Sequence, residues 1–300
     1  MNLQGLLNSH RAGAVALRIS QGIPPGLGYP LARIIADRIA TRRQTPMVAA
    51  IRANQRVIRG ENINGPQLDQ ACKDSIRHIA HSYYTLFHYL DESDSLQKLV
   101  LFDSRIEEVI MRSRSGKQGL IVAGLHMGSF DLVAQAAAYH GLHAFALSLP
   151  QPGESVEWQH HFRRRSGLDI LSASIGNLRQ AIERLKGGET MLTGVDRPVN
   201  EPKYRPMFFG QPASLPIHYI TLALKAHVPI IVMASILCPD GRYRILSSDY
   251  IELKHLPDRR AESLENAEMI LEIATGFIRQ APHQWAVYQP VWPDFAPSRV

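Results

Sequence analysis

From residue 118 onward the apolar positions fall into two alternating patterns. Short, nearly continuous apolar runs occupy 119–124, 142–149, 168–172, 190–195, 229–237 and 242–247, and several are rich in Ile and Val. Between them, 129–140, 155–165, 175–186, 215–227 and 262–280 carry apolar residues at helical spacing. Runs of the first kind are what strands buried on both faces require. Their interleaving with helices predicts an α/β fold, a mainly parallel central sheet flanked by helices. Cys238-Pro-Asp-Gly241 is a turn sequence between the last two runs, so an antiparallel hairpin is expected near the C-terminal end.

Residues 1–95 show helical spacing and no strand-like run. Leu31, Ile34, Ile35 and Ile39 share one helix face, and Val48, Ile51 and Ile58 share another. The Gly- and Pro-rich stretch from Gly22 to Pro30 reads as a break between helices. The division expected is a helical segment, 1–95, packed on an α/β core, 96–300.

Charge changes this picture more than composition does. With 45% hydrophobic and 20% charged residues the chain has ordinary globular make-up. Residues 1–60, however, hold nine arginines (11, 18, 33, 38, 42, 43, 52, 56 and 59), no lysine and one acid, Asp37; the rest of the chain is slightly negative. A basic end on a near-neutral body calls for a polyanionic partner, nucleic acid or an anionic membrane surface. Nucleic-acid binding would want aromatics among the basic residues, and 1–60 contain only Tyr29. No apolar stretch reaches the ~18 residues of a spanning helix. The run Ala12 to Leu17 is too short for a secretory signal. The expectation is a peripheral protein on an anionic, cytoplasmic membrane face. Cys72 and Cys238 form no disulfide framework, and neither CxxC nor HExxH occurs.

His126 follows the first apolar run, and Asp131 opens the helix after it. That places them at the carboxyl edge of the sheet, where open α/β folds bind ligands. Within one continuous helix a spacing of five would set the side chains about 140° apart; across a tight turn they can meet. Asp131 would then accept a ring proton from His126 and leave the other nitrogen as a base. The spacing is equally compatible with an acid placed at a helix start by the macrodipole. A second strand–acid arrangement, ending in Asp196, aims at the same edge. There is no GxSxG, no Walker loop and no GxGxxG. A base without a protein nucleophile points to direct transfer, or to an esterase or phosphatase using water. Asp74, His78, His81 and His88 share a helix face with an H-x2-H spacing, but no carboxylate motif completes a metal site, and a polar helix face is the plainer reading.

His126-Met-Gly-Ser-Phe-Asp131 resembles the HxxxxD motif of the glycerolipid acyltransferase superfamily. The wider pattern is similar to its bacterial branch of lipid A late acyltransferases and phosphatidylinositol mannoside acyltransferases. Matching segments are Ala53–Gly60, Arg163–Gly167, Leu185–Glu189 leading to Asp196, Phe208–Gly210, Ala226–Ile231, Pro239–Gly241 and Ala281–Trp285, so the likeness covers about 45–292. Lipid A members usually carry Glu at the position of Asp131. The resemblance implies an acyltransferase with His126 as general base and Asp131 orienting it, supported by Asp196 and Glu201. It implies Arg163, Arg164 and Arg165 as phosphate-binding residues, with Phe208 and Phe209 as candidates for an acyl groove. The co-substrate would be acyl-coenzyme A or acyl carrier protein, with no bound cofactor or metal, and the acceptor a lipid or glycolipid in an anionic membrane. The remaining alternative is a non-enzymatic basic module, which would explain the arginines but not the acids at the strand ends.

Overall fold

The computed structural model describes residues 10–60, 62–148 and 153–295. Leu149, assigned above to the second apolar run, lies outside the described residues, as do 1–9 and 296–300; the Arg11 side chain is likewise outside the description.

Four helices lead: α1 (His10–Gly22), α2 (Pro25–Ala40), α3 (Pro46–Arg59) and α4 (Gly65–Tyr89). The expected break between Gly22 and Pro30 shrinks to two residues, because Pro25 starts α2 where a missing N–H costs nothing. The Tyr84 hydroxyl donates to the Ile23 carbonyl at 2.7 Å and holds that junction. At α4, Asn64 and Gln67 form a reciprocal capping box, which satisfies two of the donors a helix start leaves free.

Next come α5 (Ser93–Lys98), β1 (Val100–Leu101), α6 (Ser104–Ser115), β2 (Leu120–Gly124), α7 (Phe130–Tyr139), β3 (Ala144–Ser148), α8 (Glu154–Arg165), β4 (Asp169–Ser172), α9 (Ile175–Lys186) and β5 (Thr190–Gly194). A short hairpin, β6 (Met207–Phe208) with β7 (Gln211–Pro212), precedes α10 (His218–Ala226), β8 (Ile230–Leu237), β9 (Tyr243–Ser247) and α11 (Arg259–Gln280). The main sheet runs β1-β9-β8-β2-β5-β3-β4. Only the β8–β9 pair is antiparallel, turning at Cys238–Gly241 as expected; β1 then adds a parallel edge beyond β9.

The strands read as continuously apolar because both faces are covered. On β2, Ile121 and Ala123 pack with residues of α9, α10 and α11. Leu120 and Val122 pack on the opposite side with α5, α6 and α7. The carboxyl ends of β2, β5 and β3 emerge side by side between these layers.

The two apolar stripes of the N-terminal helices have opposite fates. Val48, Ile51 and Ile58 are buried, and α3 is tied to the C-terminal segment by Asn54 Nδ2, which donates to the carbonyls of Val287 (3.1 Å) and Gln289 (2.8 Å). On α2, Leu31, Ile34 and Ile35 are 41%, 57% and 49% exposed, and Leu27 one turn earlier is 67% exposed. The α4 helix faces the sheet. Its Ser82 Oγ donates to the Gly128 carbonyl at 3.2 Å and lies 3.2 Å from Nε2 of the buried His78.

Burial drives the His78 pKa down to about 3 and also lowers those of its neighbours His81 and His283. Unfolded histidine titrates near 6.5. Below that pH the unfolded chain takes up protons that the folded chain refuses, so stability is complete above pH ~6.5 and declines as pH falls toward 3. We expect denaturant midpoints measured from pH 7.5 to 4.5 to fall on acidification, and His78→Gln to flatten that dependence. An unchanged slope in His78→Gln would remove this histidine as its source.

Candidate active site

The edge of the sheet described above carries a tight turn. After β2, the Leu125 N–H donates to Met233 of β8, the Gly128 N–H to the Gln284 carbonyl, and the Ala286 N–H to the His126 carbonyl. The Ser235 hydroxyl donates to the Met127 carbonyl at 2.8 Å. Gly128 takes a φ of +62°, which costs glycine nothing and other residues a strained backbone. The turn is thus held by β8, α4 and the 284–286 segment, and it projects His126 over the end of β5. There Gly194 leaves the space that the imidazole occupies: a Cβ on it would lie 2.7 Å from His126 Cε1.

The ring is fixed by Asp196, two residues past β5 and wholly buried. His126 Nδ1 and Asp196 Oδ1 are 2.6 Å apart. Asp196 Oδ2 accepts from the His126 backbone N–H and from Trp285 Nε1, each at 2.8 Å. A carboxylate removed from water needs such donors. Among the described residues Nε2 of His126 makes no hydrogen bond, and the side chain is 19% exposed. Phe130, 36% exposed, sets its ring edge-on at 4.5 Å from the imidazole.

Sequence reasoning gave the ring of His126 to Asp131, and the structure gives it to Asp196. Asp131 turns toward α8, where Arg163 donates to it twice, Nε to Oδ1 and Nη2 to Oδ2, both at 2.9 Å. The forked guanidinium matches a carboxylate in a way imidazole cannot, and Nδ1 is already taken. Burial works against the charge of Arg163, but the field of Asp131 and its hydrogen bonds prevail and hold the pKa above the ordinary arginine value.

The remaining candidates disperse. Arg164 pairs with Glu157 at 2.7 Å and Arg165 with Asp91 at 2.9 Å, so each of the three consecutive arginines has a carboxylate partner. Glu201 is exposed in a left-handed turn (φ 46°) and makes no hydrogen bond or ion pair among the described residues. Phe208 is 1% exposed and stacks on Trp292 at 5.5 Å, while Phe209 packs edge-on against both. Phe208 belongs to the core and Phe209, half-buried, packs against it; the exposed apolar ring beside His126 is Phe130. Asp74 pairs with Arg77, His81 stacks on Tyr29 at 4.4 Å and His88 Nδ1 lies 2.7 Å from the Ser20 carbonyl. Among the described residues no three His, Cys, Asp or Glu side chains converge to hold a metal ion. Trp285 and Gly194 were missed as contributors to the site. Only the Ala281–Trp285 segment had drawn attention, as part of a resemblance.

The geometry is that of an imidazole anchored through Nδ1 to a buried acid at the carboxyl edge of the sheet, with a separate ion pair joining the adjoining helices. Residues 94–293 match the family described as bacterial lipid A biosynthesis acyltransferase. A comparison with curated proteins gives no match.

The Asp131–Arg163 pair joins α7 to α8, with side chains only 11% and 20% exposed. Breaking such a pair from one side strands a charge and costs about 3 kcal/mol. Asp131→Ala and Arg163→Met should each destabilise by roughly that amount, and the double variant by clearly less than the sum. Denaturant titrations of the four proteins decide it; strictly additive losses would mean that the pair does not couple the two helices.

Proposed function

Since the chain belongs to the bacterial lipid A biosynthesis acyltransferase family, and is an acyltransferase, we propose that it moves a fatty acyl chain from a thioester donor to a hydroxyl of a membrane lipid or glycolipid. The observation that carries the mechanism is the free Nε2 of an imidazole whose Nδ1 is anchored to a buried acid. Nε2 takes the proton of the acceptor hydroxyl as its oxygen attacks the thioester carbonyl. The tetrahedral adduct collapses, the carbon–sulfur bond breaks, and the imidazolium returns its proton to the leaving thiolate. Asp196 holds the tautomer that exposes Nε2 and stabilises the imidazolium. No side chain is acylated. The donor is acyl-coenzyme A or acyl carrier protein. Asp131 acts at one remove, by fixing the α7 helix that starts beside His126.

An amphipathic face supports peripheral attachment to an anionic membrane. Val15 and Ile19 on α1, and Leu27, Leu31, Ile34 and Ile35 on α2, are exposed. Spacings of three and four residues bring them onto shared faces. Arg18, Arg33 and Arg38 lie on the same helices, exposed and without an ion pair among the described residues. Among those residues no helix is long and apolar enough to cross a membrane. A basic apolar face of this kind suits the lipid interface, each arginine near an anionic surface contributing on the order of 1 kcal/mol. The second stripe expected to dock, 48–58, is committed to the core, and Arg43 and Arg52 are paired with Asp69. The docking face is therefore α1 and α2 alone, on the cytoplasmic side.

Two experiments test this reading. The first incubates the protein with labelled palmitoyl-coenzyme A and a lipid extract of its host cells, and follows the label into lipid. His126→Ala should lose activity by about 10²–10⁴-fold with an unchanged melting temperature, and Asp196→Asn should be severely impaired. Undiminished transfer by a folded His126→Ala protein would overturn the assignment; label released as free fatty acid at the same rate with or without lipid would favour hydrolysis.

The second is vesicle co-sedimentation. Binding should favour anionic over neutral vesicles and weaken with salt as the Debye length falls from ~10 Å at 0.1 M to ~3 Å at 1 M. Arg18, Arg33 and Arg38 changed together to Gln, or Leu27, Leu31 and Ile34 to Ser, should each reduce it severalfold. Binding indifferent to lipid charge, salt and both sets of changes would rule out this face.

A further inference from the structure

Every backbone polar group of the turn from Leu125 to Gly128 has a partner. The N–H groups of Leu125, Met127 and Gly128 donate to the carbonyls of Met233, Leu125 and Gln284, and the His126 carbonyl accepts from the Ala286 N–H. The His126 N–H donates to Asp196, and the Met127 carbonyl accepts from Ser235. The Gly128 carbonyl is served by the Ser82 hydroxyl of α4, at 3.2 Å. Among the described residues this last bond is the one that the N-terminal helices contribute to the turn. Ser82 lies before residue 94, where the family match begins.

The α4 helix departs from its own pattern to make that bond. A serine or threonine inside a helix commonly returns its hydroxyl to the carbonyl four residues back. On α4, Ser75 does so to Ala71 at 3.0 Å, and Thr85 to His81 at 2.9 Å. Ser82 reaches across to the turn instead. It is buried together with His78, whose Nε2 lies 3.2 Å from the Ser82 oxygen. A serine hydroxyl has one proton. Given to the Gly128 carbonyl, it leaves the oxygen free to accept, so the His78 ring donates from Nε2. Burial favours the neutral ring, which has that single proton to give. Two polar side chains are thus buried to orient one carbonyl, and each is satisfied by doing so.

That carbonyl belongs to the link between the base and the next helix. The Gly128–Ser129 peptide joins the His126 turn to α7, where the Phe130 ring lies 4.5 Å from the imidazole. Gly128 is pressed against β8: a Cβ on it would lie 2.4 Å from the Ser235 carbonyl oxygen. Rotation of the peptide is therefore passed to His126 on one side and to Phe130 on the other, and the Ser82 bond opposes it. A base works only within hydrogen-bond reach of the proton it takes.

We propose that Ser82, backed by His78, is a positioning residue of the acyl-transfer site, holding the Gly128 carbonyl so that His126 stays aligned on Asp196 and presents Nε2 to the acceptor hydroxyl. This rests on the reading of His126 as the base. It makes α4 a working part of the site, in addition to its place in the helical N-terminal segment.

Steady-state kinetics of the full chain test it, with palmitoyl-coenzyme A varied over a fixed extract of host-cell lipid and rates expressed per folded molecule. Ser82→Ala keeps the helix, alanine being the better helix former. Its kcat should fall roughly three- to tenfold, the scale of one net hydrogen bond, with KM for the thioester unchanged. His78→Leu should show a smaller loss, and the double variant no more than Ser82→Ala alone, because the two act in series. Ser75→Ala deletes an equally buried hydroxyl two turns earlier on α4 and should leave kcat unchanged. A second readout needs no turnover. The His126 Nδ1 proton, held in the 2.6 Å contact with Asp196, gives a downfield proton resonance that is absent from His126→Ala. It should shift or broaden in Ser82→Ala and not in Ser75→Ala. A wild-type kcat in Ser82→Ala, an equal loss in Ser75→Ala, or an unmoved Nδ1 resonance would overturn the proposal. The wider reading fails separately: acyl transfer by His126→Ala would remove the base, while the Nδ1 resonance would still decide whether Ser82 positions the ring.

Discussion

One carboxylate holds the site together. Asp196 sits past the end of β5, sealed from solvent, and three donors converge on it: the imidazole of His126, the backbone N–H of His126 and the indole of Trp285. Those donors come from two separate parts of the chain, the turn after β2 and the segment after α11. The acid is therefore both the orienting partner of the ring and the junction where those segments meet the sheet. A buried carboxylate left without donors would cost several kcal/mol. The geometry of the site and the closure of the fold are thus enforced by the same hydrogen bonds. Gly194 belongs to this constraint, because the ring can lie over β5 only where no side chain stands.

Much of the scaffold could be read from periodicity. Strands buried on both faces announce themselves as apolar runs, and each of the six runs named from the sequence corresponds to a strand of the main sheet. The seventh, β1, has two residues and no pattern of its own; it exists because β9 offers it an edge. The Gly/Pro stretch from Gly22 to Pro30, most of which lies within α2, misled for a local reason. Proline signals a break in a helix interior but a start in its first turn, where Pro25 sits, and the Tyr84 hydroxyl bonds the chain just before it.

The site was legible in its members and not in its pairing. His126, Asp131 and Asp196 were all singled out, yet sequence distance favoured the pair five residues apart over the pair seventy apart. Spacing in the chain measures proximity only along one element. Here the turn ends in a helix whose first acid points sideways toward α8, while parallel pairing sets β5 directly beside β2 and brings Asp196 under the ring. The two phenylalanines differ in burial: Phe208 is sealed in the core and Phe209 is half-buried. Phe208 packs against Trp285 and Trp292, which the sequence spacing alone does not reveal.

Counting arginines was less informative than asking which of them are paired. The sequence shows a basic N-terminal end and a basic run on α8, and both look like anion-binding surfaces. In the folded chain Asp69 takes Arg43 and Arg52, Asp37 is taken by Arg77 from α4, and the α8 run is neutralised one residue at a time. Such pairs link elements and leave little net field for a ligand. Unpaired arginines stand in different surroundings. Arg18, Arg33 and Arg38 stand in solvent among exposed Val, Leu and Ile side chains, the combination that suits an extended lipid surface. Arg197 stands half-buried in the loop that carries Asp196. What distinguishes the two is burial, since neither has a carboxylate partner among the described residues.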